Sequence, residues 1–511
     1  MDVKARLDLA GQNLLQCLCP EENYLPYWYM VIDENFSAEY RFRPRCNGHN
    51  VGRWWNAMLR LEDCNGFEIP PDIEQAMLET SWRMSANPSG IFLEDIDAAD
   101  ASRWYLHSYR ETMLSFGLLV KYRSNQTAYQ CGLRAIEQMR HASQNLDQWD
   151  FSFGAGAEHM LVPARHAYTH GRAIEGLLCF YEATGESSAL EEAERLAQFH
   201  FAHTVNADGS LAAGCGHHTH SYLNTIRGLL LMAALQGRRD QLDVIYATYK
   251  NAIAQMITRS GFVTHDIGSK HGGDIASAGD IAHIALMLSD HFGASQLLDD
   301  VERIARARLL PAQVLAPMPV RAREDEDRDS YRDLGARFVG SIGGDVGHVK
   351  GQTCVTDYTA SAMHTLIEII NRTVDIDDKY VRVNFHLDCD TPAARVRSGR
   401  DGTAAHVSVR HATGKDLRVR IPGWVEDSTL NVRVNDRAVE ANLQDGFLVV
   451  GRENGALQVD IDYSLPEYEV EEVWRDEFAT QECVTFKWRG DEIYEVAPVG
   501  RYLEPFPKKC G

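Results

Sequence analysis

Twelve segments with the apolar spacing of an α-helix, joined by links that alternate between short and long, constrain the fold of this chain most strongly. In each segment apolar residues recur at i, i+3, i+4 and i+7, which places them on one helix face. Gly185, Gly237 and Gly293 each follow the end of a segment and predict left-handed helix caps. The segments lie at about 2–19, 51–64, 72–86, 105–124, 127–143, 166–185, 187–203, 219–237, 239–258, 277–293, 296–310 and 355–372.

The links predict how these helices pair. Short links follow the second, fourth, sixth, eighth and tenth helices, and short links form antiparallel helical hairpins. Twelve helices in this alternation predict a six-hairpin toroid, the (α/α)6 barrel, over residues 1–376. All long links then lie at one end of the barrel, where a rigid scaffold usually carries its functional site. The long links are 20–50, 87–104, 144–165, 204–218, 259–276 and 311–354.

The apolar period changes to two at about residue 379. Apolar and polar residues alternate in segments such as YVRVNFHL, HVSVRHA and LQVDIDYSL, and turn residues separate several of them. The sequence therefore predicts a mainly α-helical protein with a second domain, an antiparallel β-sandwich, over residues 377–511. The mixed charges of 321–333 predict a solvated loop.

Composition narrows the function classes. The 51 lysines and arginines against 73 acidic residues give a net charge of −22, which disfavours general binding to nucleic acid or anionic membranes. No apolar run reaches the length of about 18–20 residues that a membrane span needs. The N-terminus lacks the apolar stretch of a secretory signal, and the 11 cysteines are odd in number and scattered. We therefore expect reduced thiols and a cytoplasmic monomer or homodimer.

The helices that follow the long links form the predicted inner ring, and their N-termini carry many polar side chains. We predict that these side chains bind the hydroxyls and rings of a small oligosaccharide. The free N–H groups at the helix N-termini are also suited to sugar oxygens. The alternative for each aromatic residue or histidine is packing within the core. The predicted substrate-binding residues are His49, Arg53, Trp54, His170, Arg172, His217, His218, His220, Tyr222, His271 and Tyr358.

Four further residues are the predicted catalytic groups. Glycosidic cleavage commonly needs one protonated and one ionised carboxyl group, and Asp274, Asp280 and Asp357 lie at inner-helix starts. Cys354 precedes the last inner helix, where a thiol can become a nucleophile. No distances follow from the sequence, so the acid and the base stay unassigned. A sugar isomerase, epimerase or lyase that uses the mouth histidines, and a non-catalytic sugar binder, are the alternatives.

Three stretches resemble glycoside hydrolase family 127, the β-L-arabinofuranosidase-like family. Its helical hairpins are similar to 170–197, beginning HGRAIEGLLCF, and to 273–310, beginning GDIASAGDIAH. Its β-sandwich resembles 417–452, with RIPGW and a VN turn. The resemblance covers about 170–510. It implies an (α/α)6 barrel with β-sandwich domains and retaining cleavage of furanosides. It also implies a cysteine nucleophile held by zinc, with one glutamate and three cysteines, and a glutamate acid/base.

This chain departs from the family pattern at the residues that hold zinc. The paired cysteines ahead of the last inner helix fall on Cys354 and Val355, and the Glu-x-Cys pair falls on Asp274 and Ala276. Gly273 stands where the family has its acid/base glutamate. We therefore predict no metal or other cofactor. The overall prediction is a glycoside hydrolase that acts on a small oligosaccharide containing a furanoside or a uronate.

Overall fold

The computed structural model describes most of the chain. The described residues are 2–32, 36–43, 47–93, 106–144, 170–213, 215, 218–268, 275–323, 327–343, 351–451, 457–475 and 481–498. Their helices are α1 (Val3–Gln16), α2 (Asn47–Asn65), α3 (Pro71–Ser85), α4 (Leu106–Arg123), α5 (Gln126–Ala142), α6 (Ala173–Thr184), α7 (Ser187–His203), α8 (Thr219–Leu235), α9 (Arg239–Asn251), α10 (Ile275–Phe292), α11 (Ser295–Ile304), α12 (Leu334–Arg337) and α13 (Thr356–Asn371).

Six of these helices form a closed inner ring. In chain order α2, α4, α6, α8, α10 and α13 each pack against the next, and α13 packs against α2. The outer helices α1, α3, α5, α7, α9 and α11 pack against the outside of this ring. The inner helices are buried on almost every side; α10, for example, is buried from Ile275 to Leu288. This is the six-hairpin toroid that the link lengths predict, and the predicted fold class is confirmed.

Glycines allow the inner helices to approach closely. A Cβ atom on Gly52 of α2 would lie 2.6 Å from the backbone of Glu111 on α4. On α6 a Cβ atom on Gly176 would lie 2.9 Å from the carbonyl oxygen of Arg110. Both contacts join neighbouring helices of the ring, so side chains there would push the helices apart. The helix ends also follow the prediction, because Gly185 caps α6 with a φ of 71°.

The C-terminal strands form two large sheets and one small sheet. A six-stranded sheet has the order β14-β13-β17-β11-β10-β9, a five-stranded sheet has the order β15-β16-β12-β8-β7, and a further sheet has the order β18-β19-β20. The strands are β7 (Val374–Ile376), β8 (Tyr380–Val383), β9 (Cys389–Asp390), β10 (Ala394–Asp401), β11 (Ala404–His411), β12 (Asp416–Arg420), β13 (Asn431–Val434), β14 (Arg437–Val439), β15 (Leu443–Gln444), β16 (Phe447–Val450), β17 (Leu457–Ser464), β18 (Glu467–Arg475), β19 (Gln481–Arg489) and β20 (Glu492–Ala497).

One pairing differs from the predicted antiparallel sandwich. Strands β8 and β12 are parallel, with Val381 opposite Leu417. Between them the chain crosses to the six-stranded sheet to form β9, β10 and β11, and it returns beside β8 in the same direction. Periodicity identifies each strand but carries no information about its neighbour.

The first and last long links contain strands that the sequence analysis did not predict. Most of them join in a sheet of order β5-β4-β3-β6 beside the barrel. The charged stretch 321–333 was predicted to be a solvated loop, and its described part is so only in part. Arg321 and Ala322 form β5 of this sheet, and Asp329 and Tyr331 are buried, with Asp329 paired with Arg337 at 3.0 Å. β1 (Leu18–Cys19) lies at the end of the predicted first helix, which stops at Gln16. The strands of both links are β2 (Leu25–Pro26), β3 (Tyr29–Ile32), β4 (Ser37–Arg41), β5 (Arg321–Ala322) and β6 (Gly351–Cys354).

A search of the described residues finds no helix that is both long enough and apolar enough to cross a membrane.

Candidate active site

A cluster of charged side chains lies inside the inner ring, near the N-terminal ends of its helices. All six inner helices contribute to it, and every member is buried. Because charged side chains are rarely buried without partners, a cluster of this size inside an apolar barrel indicates a site. We call it the axial cluster; its members are His49, Arg53, Arg110, Glu111, Arg172, Glu175, His220, Arg227, Asp280 and Asp357.

Cations and anions alternate along one side of the cluster. Arg110 pairs with Glu111 at 2.7 Å and with Glu175 at 2.8 Å. Arg227 pairs with the other oxygen of Glu175 at 2.6 Å and with Asp280 at 2.8 Å. These contacts link α4, α6, α8 and α10. The desolvation of each charge is therefore offset by two partners of opposite sign.

Arg53 connects the remaining members. Its guanidinium group lies 3.1 Å from Asp357, 3.4 Å from Glu111 and 2.6 Å from Nε2 of His220. Arg53 thus joins α2 to α4, α8 and α13, so the contacts of the cluster connect all six inner helices.

The four carboxylates of the cluster are ionised. Burial raises the pKa of Asp280, but the attraction of His220 and Arg227 outweighs it and lowers this pKa to about 2. For Asp357, burial is likewise outweighed by His49 and Arg53, and the pKa falls below its usual value. Burial also raises the pKa of Glu111, but His49 and the neighbouring arginines outweigh it and lower this pKa. For Glu175, Arg110 and Arg227 outweigh burial in the same way, and its pKa is lowered. None of these four groups is a proton donor at neutral pH.

The neighbours of His220 fix its tautomer. A guanidinium group only donates hydrogen bonds, so Nε2 of His220 accepts from Arg53 at 2.6 Å. Its Nδ1–H then donates to Oδ2 of Asp280 at 2.6 Å. Both ring nitrogens of His220 are therefore engaged.

Asp357 is the most accessible carboxylate of the cluster. Its side chain keeps 12% exposure, whereas those of Glu111, Glu175 and Asp280 keep 0%, 5% and 2%. Its Oδ1 lies 2.9 Å from Nε2 of His49. Asp357 is in the first turn of α13, where the helix dipole favours a negative charge.

Other predicted residues lie nearby. His218 caps α8, accepts from the backbone N–H of Ser221, and its ring lies 4.6 Å from that of His265. Cys354 ends β6 opposite Tyr29 and is partly buried, as is Tyr358 in the first turn of α13.

Three predicted binding residues have core environments instead. Trp54 is fully buried and donates to the carbonyl oxygen of Leu14 at 3.2 Å. Tyr222 is also fully buried in the apolar core, and His170 contacts His200 at 2.9 Å. For Trp54 the reason is helical geometry. Successive residues of an α-helix are rotated by about 100° around its axis, so Trp54 lies on a different face of α2 from Arg53. The predicted residues His217, His271 and Asp274 lie outside the described part of the chain.

Four cluster members are not among the predicted site residues; they are Arg110, Glu111, Glu175 and Arg227. Glu175 and Arg227 lie within strongly apolar inner helices, in AIEGLLCF and TIRGLLL. A charge inside such a segment is a usable signal, because burying it requires a partner.

The residues present do not fit the zinc–thiolate site of the family. Val355 and Ala276 stand at two thiolate positions, and neither side chain can bind a metal. Within the described residues no group of three histidine, cysteine or acidic side chains is placed to hold a metal ion.

Solved structures extend the resemblance to the tertiary level. Ara127N-Se, a GH127 β-L-arabinofuranosidase from Geobacillus stearothermophilus T6, superposes with a TM-score of 0.58 at 12% identity, over 88% of this chain and 76% of that one. A second GH127 β-arabinofuranosidase gives 0.57 at 12% identity, over 95% of this chain and 78% of that one. This chain shares their fold. A third structure, named only as a glycoside hydrolase, gives 0.56 at 12% identity, with coverages of 87% and 77%.

The likeness to the GH127 structures is confined to the fold. No family model matches the sequence, and no curated protein matches it significantly. Because one fold can host different chemistries, the fold by itself does not identify the activity.

Proposed function

We propose that the chain is a glycoside hydrolase whose active site is the axial cluster. The observation that carries this proposal is an ionised Asp357, the most accessible carboxylate of the cluster, held between His49 and Arg53 at the N-terminus of the last inner helix. A fixed carboxylate of this kind suits attack on an anomeric carbon or activation of a water molecule. The glycoside hydrolases that share the fold support the same reaction class.

Asp357 takes the role of nucleophile or base in this proposal. Its Oδ1 accepts a hydrogen bond from Nε2 of His49 at 2.9 Å and forms an ion pair with Arg53 at 3.1 Å. Those contacts orient the carboxylate and keep it charged, because both partners favour the anion. The pKa of Asp280 is also lowered, but Asp280 is bound to Arg227 and His220, so we assign it to holding His220 in place.

The general acid is a different group. The four ionised carboxylates of the cluster hold no proton to give to a leaving group. Asp274, which immediately precedes the first residue of α10 in the sequence, is the predicted catalytic carboxyl group that is not among these four, and we propose it as the acid. Cys354 stays a predicted nucleophile that the same experiments test.

The charge balance of the cluster favours a neutral sugar. Arg53, Arg110, Arg172 and Arg227 are matched by four carboxylates, and each arginine lies within 3.4 Å of at least one of them. A uronate would add a fifth negative charge to this site, where burying an unpaired charge is strongly unfavourable. We therefore favour a neutral furanoside over a uronate as the substrate.

We favour hydrolysis over isomerisation or elimination catalysed by the histidines. Those reactions need an imidazole with a nitrogen free to move a proton. Both nitrogens of His220 are engaged, by Asp280 and Arg53. The cytoplasmic location and the monomeric or homodimeric state stay predictions.

Product analysis with arabinofuranose-containing oligosaccharides tests the proposal. We expect the wild-type chain to release reducing sugar, and Asp357→Asn to lower kcat by roughly 10²-fold or more, because general base catalysis alone is worth that much. Asp240→Asn is the control, since Asp240 is an exposed partner of Arg238. Asp274→Asn and Cys354→Ala in the same assay test the acid and the thiol.

Other products would contradict hydrolysis. An unsaturated, ultraviolet-absorbing product indicates a lyase, and a product of unchanged mass indicates an isomerase or epimerase. Affinity without turnover indicates a sugar-binding protein.

A further inference from the structure

Trp28 lies beside the axial cluster and has no role in the predictions above. It lies between β2 and β3. Its backbone N–H donates to the carbonyl oxygen of Arg41 at 2.9 Å, and its carbonyl oxygen accepts from the backbone N–H of Val355 at 2.8 Å. Its ring centroid is 5.4 Å from that of His49. Because His49 in turn contacts Asp357 at 2.9 Å, Trp28 is separated from the proposed catalytic carboxylate by one side chain.

The indole N–H of Trp28 is buried and makes no hydrogen bond to the described part of the chain. The residue is only 3% exposed. Trp55 shows the usual arrangement, in which a buried indole donates to Oγ of Ser81 at 2.8 Å. A buried donor with no partner is unfavourable and uncommon, and a ligand is one way to satisfy it.

The surroundings of Trp28 indicate contact through the N–H rather than through a ring face. The guanidinium group of Arg43 lies 5.2 Å over the ring, and Tyr29 and His49 pack around it at 6.1 and 5.4 Å. These neighbours restrict stacking by a sugar. The indole N–H only donates, so its partner is an oxygen that accepts.

We propose that Trp28 is a substrate-positioning residue, whose Nε1–H donates to a hydroxyl oxygen of the sugar bound at the axial cluster. This inference rests on the proposed glycoside hydrolase function. Trp28, in the link that precedes α2, would thus contribute to substrate specificity close to Asp357. The residue acts by holding the sugar in place and takes no part in proton transfer.

A pair of tryptophan variants tests this role. Trp28→Phe keeps an aromatic ring and removes the donor, so we expect KM for an arabinofuranoside oligosaccharide to rise roughly 3- to 10-fold, with kcat within about twofold. The urea midpoint of the free protein should stay the same or rise, since an unsatisfied donor is lost. Trp55→Phe is the matched control. It removes a satisfied donor, so its urea midpoint should fall and its KM should not change.

Substrates that lack single hydroxyl groups identify the partner. One deoxy substrate should raise KM for the wild-type chain as much as Trp28→Phe does, and the two changes together should add nothing further. An unchanged KM in Trp28→Phe, or a drop in its urea midpoint equal to that of Trp55→Phe, would overturn the role of Trp28 alone. Absence of turnover in the wild-type chain and every variant would overturn the proposed function instead.

Discussion

At the scale of single residues, the candidate site depends on charges that cancel inside an apolar barrel. Arg227 is 3% exposed and pairs with Glu175 and Asp280 at 2.6 and 2.8 Å. Removing one partner of a buried pair leaves an uncompensated charge, which is far more unfavourable than losing a surface ion pair. Each arginine of the cluster therefore contributes to the stability of the fold as well as to the site.

We expect Arg227→Met to lower the free energy of unfolding by about 3–5 kcal/mol. The substitution leaves Asp280 with His220 and Asn224, and Glu175 with Arg110, as remaining partners. Urea unfolding at pH 7 measures the change. Arg238→Met is the control, because the Arg238–Asp240 pair is more than half exposed, and its midpoint should hardly move. An equal loss of unfolding free energy in the two variants would contradict the idea that burial makes the Arg227 ion pairs more important for stability than the exposed pair.

At the scale of elements, the close packing of the inner helices brings the side chains of the cluster into contact. Arg53 reaches Glu111 from α2 only because α2 and α4 approach closely at Gly52. The sequence shows the periodicity of both helices, but this contact depends on how their surfaces meet.

We expect Gly52→Ala to destabilise the chain by about 1–3 kcal/mol, the usual effect of overpacking. The added Cβ would lie 2.6 Å from the backbone of Glu111, so α2 must shift. The shift should also lower turnover, since α2 carries His49 and Arg53. Gly451→Ala is the matched control, because a Cβ there meets no atom within 4 Å. Urea midpoints and kcat for both variants check this, and a stable, active Gly52→Ala would be inconsistent with the close approach.

At the scale of the whole molecule, buried neutral histidines make stability depend on pH. Burial lowers the pKa of His200, in the barrel, to about 3. Burial also lowers the pKa of His386 to about 4; this residue follows β8 and its Nε2 contacts the carbonyl oxygen of Arg420. In the unfolded chain both have the ordinary value of about 6.5.

Stability should therefore fall as the pH drops below about 6.5. The unfolded chain binds protons there that the folded chain does not, so each histidine destabilises the fold by roughly 2 kcal/mol between pH 6.5 and pH 5. Above pH 6.5 their contribution is constant. Urea unfolding at pH 7 and pH 5 measures the loss, and His200→Gln should reduce the difference between the two pH values. An unchanged difference in that variant would contradict a buried neutral His200.

Much of the architecture could be predicted from the sequence because it follows from local spacing. The period of 3.6 residues and the alternating link lengths predict the inner and outer helices, and the caps at Gly185, Gly237 and Gly293 all have positive φ angles. The site was predicted less completely. His49, Arg53, Arg172, His220, Asp280 and Asp357 do come together, whereas Trp54, His170 and Tyr222 pack elsewhere.

The sequence by itself determined which segments are helices or strands, and which ends of the helices carry charge, because these properties depend on residues close together in the chain. Only the tertiary structure decided which charges meet. Arg53 and Asp357, and Arg227 and Glu175, are far apart in sequence, and their contacts depend on ring closure at α13 and on close helix packing. The tertiary structure likewise decided which donor remains unpaired, because Trp28 and Trp55 are both buried tryptophans and only their surroundings distinguish them.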